Sequence, residues 1–220
     1  MTLTVQGAPT PAPNRVVRDQ SAVMHDAPCY VLSPENPVIN ISPRETIDDM
    51  VRRTEGVKIA ASKIIKHMKD TILQSKLLQW VETDSFVTSS FTPAAAVANR
   101  EQAFREHYSL LFRLVTHVEH VYKNNTIKQQ SESGSLKSQI RDLEKEIFQL
   151  LCDLKIASRL TAQSVPSSDT TVSNQFKNLA TTTVNEMLRA YIVIRDVEKV
   201  MTSLHRIYIA VRDSPVGIKP

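Results

Sequence analysis

FKNLATTTVNEMLRAYIVIRDVEKVMTSLHRIYIAV, residues 176–211, holds the longest apolar periodicity in the chain. Phe176, Ala180, Val184, Met187, Tyr191, Ile194, Val197, Met201, Leu204, Tyr208 and Val211 recur every three or four positions, the spacing that lines one face of an α-helix. Ser214-Pro215 ends it. The same logic finds three more helices upstream. Ser42-Pro43-Arg44-Glu45 is a helix start, with Ser42 as cap, Pro43 at the first helical position and Glu45 completing a capping box. Ile47, Met50, Val51, Val57, Ala61, Ile64, Ile65, Met68 and Ile72 then mark helix A, expected over about Pro43 to Leu78. Gly56 weakens it by roughly 1 kcal/mol relative to Ala without ending it.

A β-branched, polar stretch from Val81 to Phe91 interrupts the period, and Thr92-Pro93 restarts it. Helix B carries Val97, Phe104, Tyr108, Leu111, Leu114, Val115, Val118 and Tyr122, and frays at Lys123-Asn124-Asn125. Helix C, about Ser135 to Gln163, turns Leu136, Ile140, Leu143, Ile147, Leu150, Leu151, Leu154 and Leu160 inward. Four long amphipathic helices without a convincing strand predict an all-α four-helix bundle. Helices of ~45 Å need roughly 13 extended residues for an end-to-end overhand connection. The A–B linker meets that length and the C–D linker does so if helix D starts near Phe176. An up-up-down-down order is therefore favoured over up-down-up-down, which stays open.

The bundle is expected over residues 42–213, with a tail and strap at 1–41 and a short tail at 214–220. Residues 1–41 hold Pro9, Pro11, Pro13, Pro28, Pro34 and Pro37, six of the 11 prolines. The 220 residues are 41% hydrophobic, enough for one domain with a sizeable core. Only 4 glycines argue against phosphate loops and tight hairpins. No apolar run approaches the ~18 residues of a membrane span, and no stable membrane insertion is expected. The net charge of +4 comes from interleaved signs, as in residues 141–146, which reads as a solvated helix surface rather than a nucleic-acid-binding face. Residues 1–20 show no signal-peptide core, so a secreted form would be leaderless or numbered from its mature start.

Sites of chemistry are scarce. His107, His117 and His120 on helix B lack the spacing of a zinc protease or a di-iron bundle, and are expected at the surface or boundary with no metal. Asp142, Glu144, Glu146 and Asp153 alternate with cations and suit a solvent face. Cys152 has no nucleophile motif around it and reads as a buried structural thiol. No catalytic residue and no cofactor is expected. Asn40 and Asn124 begin N-x-[ST] sequons, Asn124 being the better acceptor because Pro43 follows the first.

Ala103-Phe104-Arg105 with Tyr108, Leu110-Leu111 and Leu114 resembles the helix-B segment of the interleukin-6 type cytokines of the ciliary neurotrophic factor group. Ser203-Leu204-His205 is similar to that family's Ser-aliphatic-His turn near the end of helix D. The resemblance spans about Pro43 to Val211. It implies a long-chain cytokine that is monomeric when free, binds cell-surface class I receptor chains and signals through JAK kinases and STAT factors. It implies one receptor patch around the end of helix D and the A–B loop, where Arg206 and Arg212 stand. A second is implied on the outer faces of helices A and C, and a third at the start of helix D. The third patch carries Phe-x-x-Lys in several relatives, whereas here Lys177 follows Phe176 at once and Leu179 stands where Lys is expected. Some relatives tether the N-terminal strap to helix C by a disulfide, which implies a Cys29–Cys152 bridge in an extracellular protein. The rival readings are an intracellular helical scaffold that pairs with partner helices, and a lipid-binding helical protein.

Overall fold

In the computed structural model, residues 42–71, 73, 78, 81, 84–87, 91–123, 135–160, 176 and 182–214 are described. Among these the regular secondary structure is entirely helical: α1 (Pro43–Thr71), α2 (Pro93–Ala98), α3 (Arg100–Lys123), α4 (Ser135–Leu160) and α5 (Thr183–Asp213). The expected tail and strap, residues 1–41, and all of the expected C-terminal tail except Ser214 lie outside the described residues.

The helix starts follow from side-chain oxygens that replace missing carbonyl partners. Ser42 and Glu45 form a reciprocal capping box: the Glu45 amide donates to Ser42 Oγ at 3.2 Å and the Ser42 amide to Glu45 Oε2 at 2.9 Å. Those bonds hold the exposed Glu45 carboxyl below its ordinary pKa. Thr92 caps α2 by accepting from the Ala95 amide, and Thr182 caps α5 by accepting from the Asn185 amide.

Two boundaries differ from the sequence reading. Helix A stops at Thr71 rather than near Leu78, and the Leu73 amide donates back to the Met68 carbonyl at 2.9 Å, a six-to-one bond of the kind that closes helix ends. Helix B is two helices. Asn99 leaves the helical region at φ −141° and ψ 79°, and its Oδ1 accepts from the Gln102 amide, so a residue inside the apolar pattern ends α2 and caps α3.

Each long helix turns its stripe to a shared core. Met50, Val57, Ile64 and Met68 of α1 are buried with Leu111, Leu114 and Val118 of α3. Leu143, Ile147, Leu151 and Leu154 of α4 meet them, as do Ile194, Val197, Met201, Leu204 and Tyr208 of α5. Val184, expected on the core stripe, lies instead 48% exposed in the first turn of α5. Helix α1 packs against α4 and, most extensively, against α5; α3 packs against α4 and α5, and α2 lies on α5 and α3.

The α1–α5 contact is a seam of polar pairs in step. Asp48 faces Arg212 at 4.0 Å, Glu55 faces His205 at 3.4 Å, Ser62 donates to Glu198, and Lys69 sits 5.8 Å above the Tyr191 ring. Every advance of seven along α1 is matched by a retreat of seven along α5, so this pair runs in opposite directions. His205 adds bonds on its other ring nitrogen. Nδ1 lies 3.1 Å from the Val51 carbonyl, which makes it the donor there, and 3.3 Å from Thr54 Oγ1.

Candidate functional site

At one end of the molecule, residues of several elements meet on the second half of α3. The Phe176 ring is fully buried and meets Phe86, His117 and His120 edge-on, each at 5.0 Å between centroids. The Arg189 guanidinium of α5 lies 5.1 Å over the same ring. Phe86 in turn stacks on His117 at 6.1 Å. Of the two readings of Phe176, receptor contact or helix-end core residue, its burial in this conformation matches the second. Lys177, beside it, lies outside the described residues.

The linker between α1 and α2 is held here by two adjacent charges inside the apolar stripe of α5. Asp196 accepts from the Phe86 amide at 2.7 Å, the Val87 amide at 3.2 Å and the Ser85 hydroxyl at 3.0 Å. Arg195 donates to the Val81 carbonyl at 2.7 Å and to the Asp84 carbonyl. Burial raises the Asp196 pKa despite those donors. Four backbone polar groups of a linker thus find partners on one turn of helix, which is how an irregular segment lies against a core without stranded donors. A sequence signal existed: Arg195-Asp196 interrupts Ile192-Val193-Ile194 and Val197, a costly place for charge unless both groups are engaged.

The histidines are not surface residues as a group. His107 is 1% exposed, with Phe91 and Tyr208 edge-on at 5.2 Å and 5.5 Å, and neither ring nitrogen has a hydrogen-bond partner among the described residues. Desolvation lowers its pKa to about 4. His117 is also buried; its Nδ1 donates to the Arg113 carbonyl at 2.7 Å, and desolvation lowers its pKa. Of these three, only His120 is exposed.

Helix α4 likewise splits its carboxylates. Asp142 and Glu146 face solvent, but Glu144 and Asp153 are buried. Desolvation, reinforced by Glu119 across the α3–α4 contact, raises Glu144 to about 7. Arg53 of α1 reaches Asp153 at 2.6 Å, yet burial outweighs that pairing and Asp153 stands at about 6. Among the described residues no three His, Cys, Asp or Glu side chains are grouped to hold a metal.

Of the other expected site residues, Arg206 is exposed on α5. Arg212 is half-buried and engaged by Asp213 at 2.8 Å as well as by Asp48. The structure does not bring Arg206 and Arg212 together with Phe176, which lies toward the opposite end of α5. Cys152 is half-buried rather than buried, and is not a free thiol. Cys29, Asn40 and Asn124 lie outside the described residues. No helix among the described residues is long and apolar enough to cross a membrane. No protein-family model matches the chain, and neither a curated protein nor a solved structure matches it significantly.

Proposed function

We propose that this chain is an extracellular helical cytokine that binds cell-surface class I receptor chains and triggers JAK/STAT signalling. The observation that carries the reading is the set of helix neighbours. Helices α1 and α5 run oppositely along their seam. Phe104 and His107 near the start of α3 meet Tyr208 near the end of α5, while His120 feels the charge of Arg189 near its start. Lys137 near the start of α4 lies 4.7 Å over the ring of Tyr122 at the end of α3. These pairings support an up-up-down-down four-helix bundle, the order long-chain cytokines use, and they join the resemblance in helices B and D.

In this proposal the receptor contact lies on the outer face of α5 around Arg206, with Arg212 as its charged edge. The Cys29–Cys152 bridge and glycans on Asn124 and Asn40 belong to the same extracellular reading. Purified protein applied to cultured cells of its source organism is expected to raise STAT tyrosine phosphorylation within minutes, and a JAK inhibitor to block it. Arg206→Glu is expected to weaken the response by about tenfold, equivalent to 1.4 kcal/mol of binding, with the thermal midpoint unchanged. No phosphorylation at any dose, together with retention of the native protein in lysate as an unbridged dimer, would transfer the assignment to an intracellular scaffold.

A further inference from the structure

We propose that residues 84–87 of the α1–α2 linker form an acid-sensitive latch, shut while His117 and His120 of α3 are neutral and released when they take up protons. From the α5 side the latch is fastened by Asp196, which accepts from the Ser85 hydroxyl and from the Phe86 and Val87 amides. On the other side Phe86 stacks on His117 and meets Phe176 edge-on.

Two features of the geometry make a proton unwelcome here. His117 Nδ1 donates to the Arg113 carbonyl at 2.7 Å, which leaves Nε2 of the neutral ring a bare acceptor, buried and without a hydrogen-bond partner among the described residues. A proton on Nε2 would be a charged donor with nothing to receive it. Asp196 is the carboxylate that acts on this ring, and its oxygens already hold the linker. A protonated His117 therefore competes with the Phe86 and Val87 amides for Asp196. The second feature is the Phe176 ring, whose centre lies 5.0 Å from His117, 5.0 Å from His120 and 5.1 Å from the Arg189 guanidinium. An aromatic ring has two faces that attract cations and a rim that repels them, and Arg189 takes one face. Protonating both histidines brings three cations to one ring, so at least one has no face to rest on.

The surrounding charges do not reverse this. Arg189 and Asp196 face the two imidazoles from α5, and Arg113, Glu119 and Lys123 from α3 itself. Glu144 of α4 lies across Glu119, and residues 84–87 bring Asp84, whose carbonyl Arg195 holds. Burial comes first in lowering both histidines below the ordinary 6.5; Arg113 adds to it at His117 and Arg189 at His120, against the attraction of Asp196 and Glu119. The shut latch is therefore favoured above pH 6.5 and loses favour as the pH drops below it. Asp196 works in the opposite sense, because burial raises its pKa above the ordinary 3.8. The opening thus belongs to mildly acidic solution, before the carboxylate takes up its proton.

The test follows hydrogen exchange of the Phe86 and Val87 amides in the full chain from about pH 7.5 to about pH 5.5, each rate divided by the intrinsic rate at that pH. Wild type is compared with His117→Asn and His120→Gln, whose side-chain amides take up no proton, and circular dichroism verifies the folding of each. Protection of both amides in wild type should fall by about tenfold across this range, toward the low end of what an unpartnered buried donor costs. The Ile64 amide of α1, which reports on the bundle as a whole, should lose less. The fall should vanish in His117→Asn and shrink in His120→Gln, which changes an exposed residue and serves alone if the first variant does not fold. Flat protection in wild type, an equal fall at Ile64, or an unchanged fall in any variant that folds would overturn the proposal.

Discussion

His107 has two ring nitrogens and no hydrogen-bond partner for either among the described residues, so its charged form is unwelcome in the fold. Its pKa of about 4 in the fold lies below the ordinary 6.5, so the unfolded chain takes up the proton first. Its contribution to stability is full above pH 6.5 and falls away as the pH drops toward 4, by about 3 kcal/mol. Glu144 and Asp153 act in the opposite sense, because their folded pKa values of about 7 and about 6 lie above the ordinary 4.5 and 3.8. Their contribution is full below the ordinary values and is lost as the pH rises through 6 to 7. Urea midpoints of wild type and His107→Leu, measured from pH 7.5 to 4.5, should therefore diverge, the variant gaining relative stability as the solution is acidified. Parallel curves would mean that His107 reaches water or a partner. None of these three burials was legible in the sequence. A histidine or carboxylate next to an apolar stripe looks the same whether a neighbouring helix covers it or not, and that depends on rotation about the helix axis. Asp196→Ala removes the acceptor of two linker amides and is expected to cost about 3 kcal/mol, since bonds to a charged group contribute about 1.5–3 each.

At the scale of the element, the caps and apolar periods were legible because they are local. The Ser42–Glu45 box, the Thr92-Pro93 start and the stripe of α5 each lie within a few turns of chain. The break at Asn99 was not, because the apolar pattern runs straight past it and hides the preference of Asn for a cap position. Asn99→Ala is expected to cost about 1 kcal/mol by uncapping α3, read as a lower thermal midpoint. Gly56 gives the opposite prediction. It is exposed in α1, and a Cβ there would meet nothing within 4 Å. Gly56→Ala should stabilise the protein by about 1 kcal/mol in equilibrium denaturation, and a loss of stability would show that the position meets a neighbour.

At the scale of the molecule, the helical class followed from composition and period, whereas the clamp on the α1–α2 linker depends on residues about 110 positions apart and had only a faint trace in Arg195-Asp196. The candidate surface was less legible still: Arg206 is exposed as expected, but Phe176 sits beneath the linker that Asp196 holds. Among the described residues, the seam between α1 and α5 joins the first long helix to the last. A chain emerging from a ribosome thus carries α1 with its main packing partner still unmade, and the apolar flank meant for α5 stays open until α5 itself has been made. Contacts so distant in sequence close late and slowly. Stalled or truncated chains that end before Ala190 should therefore be captured by chaperones or aggregate through α1, while a circular permutant with α5 joined ahead of α1 should fold during its own synthesis.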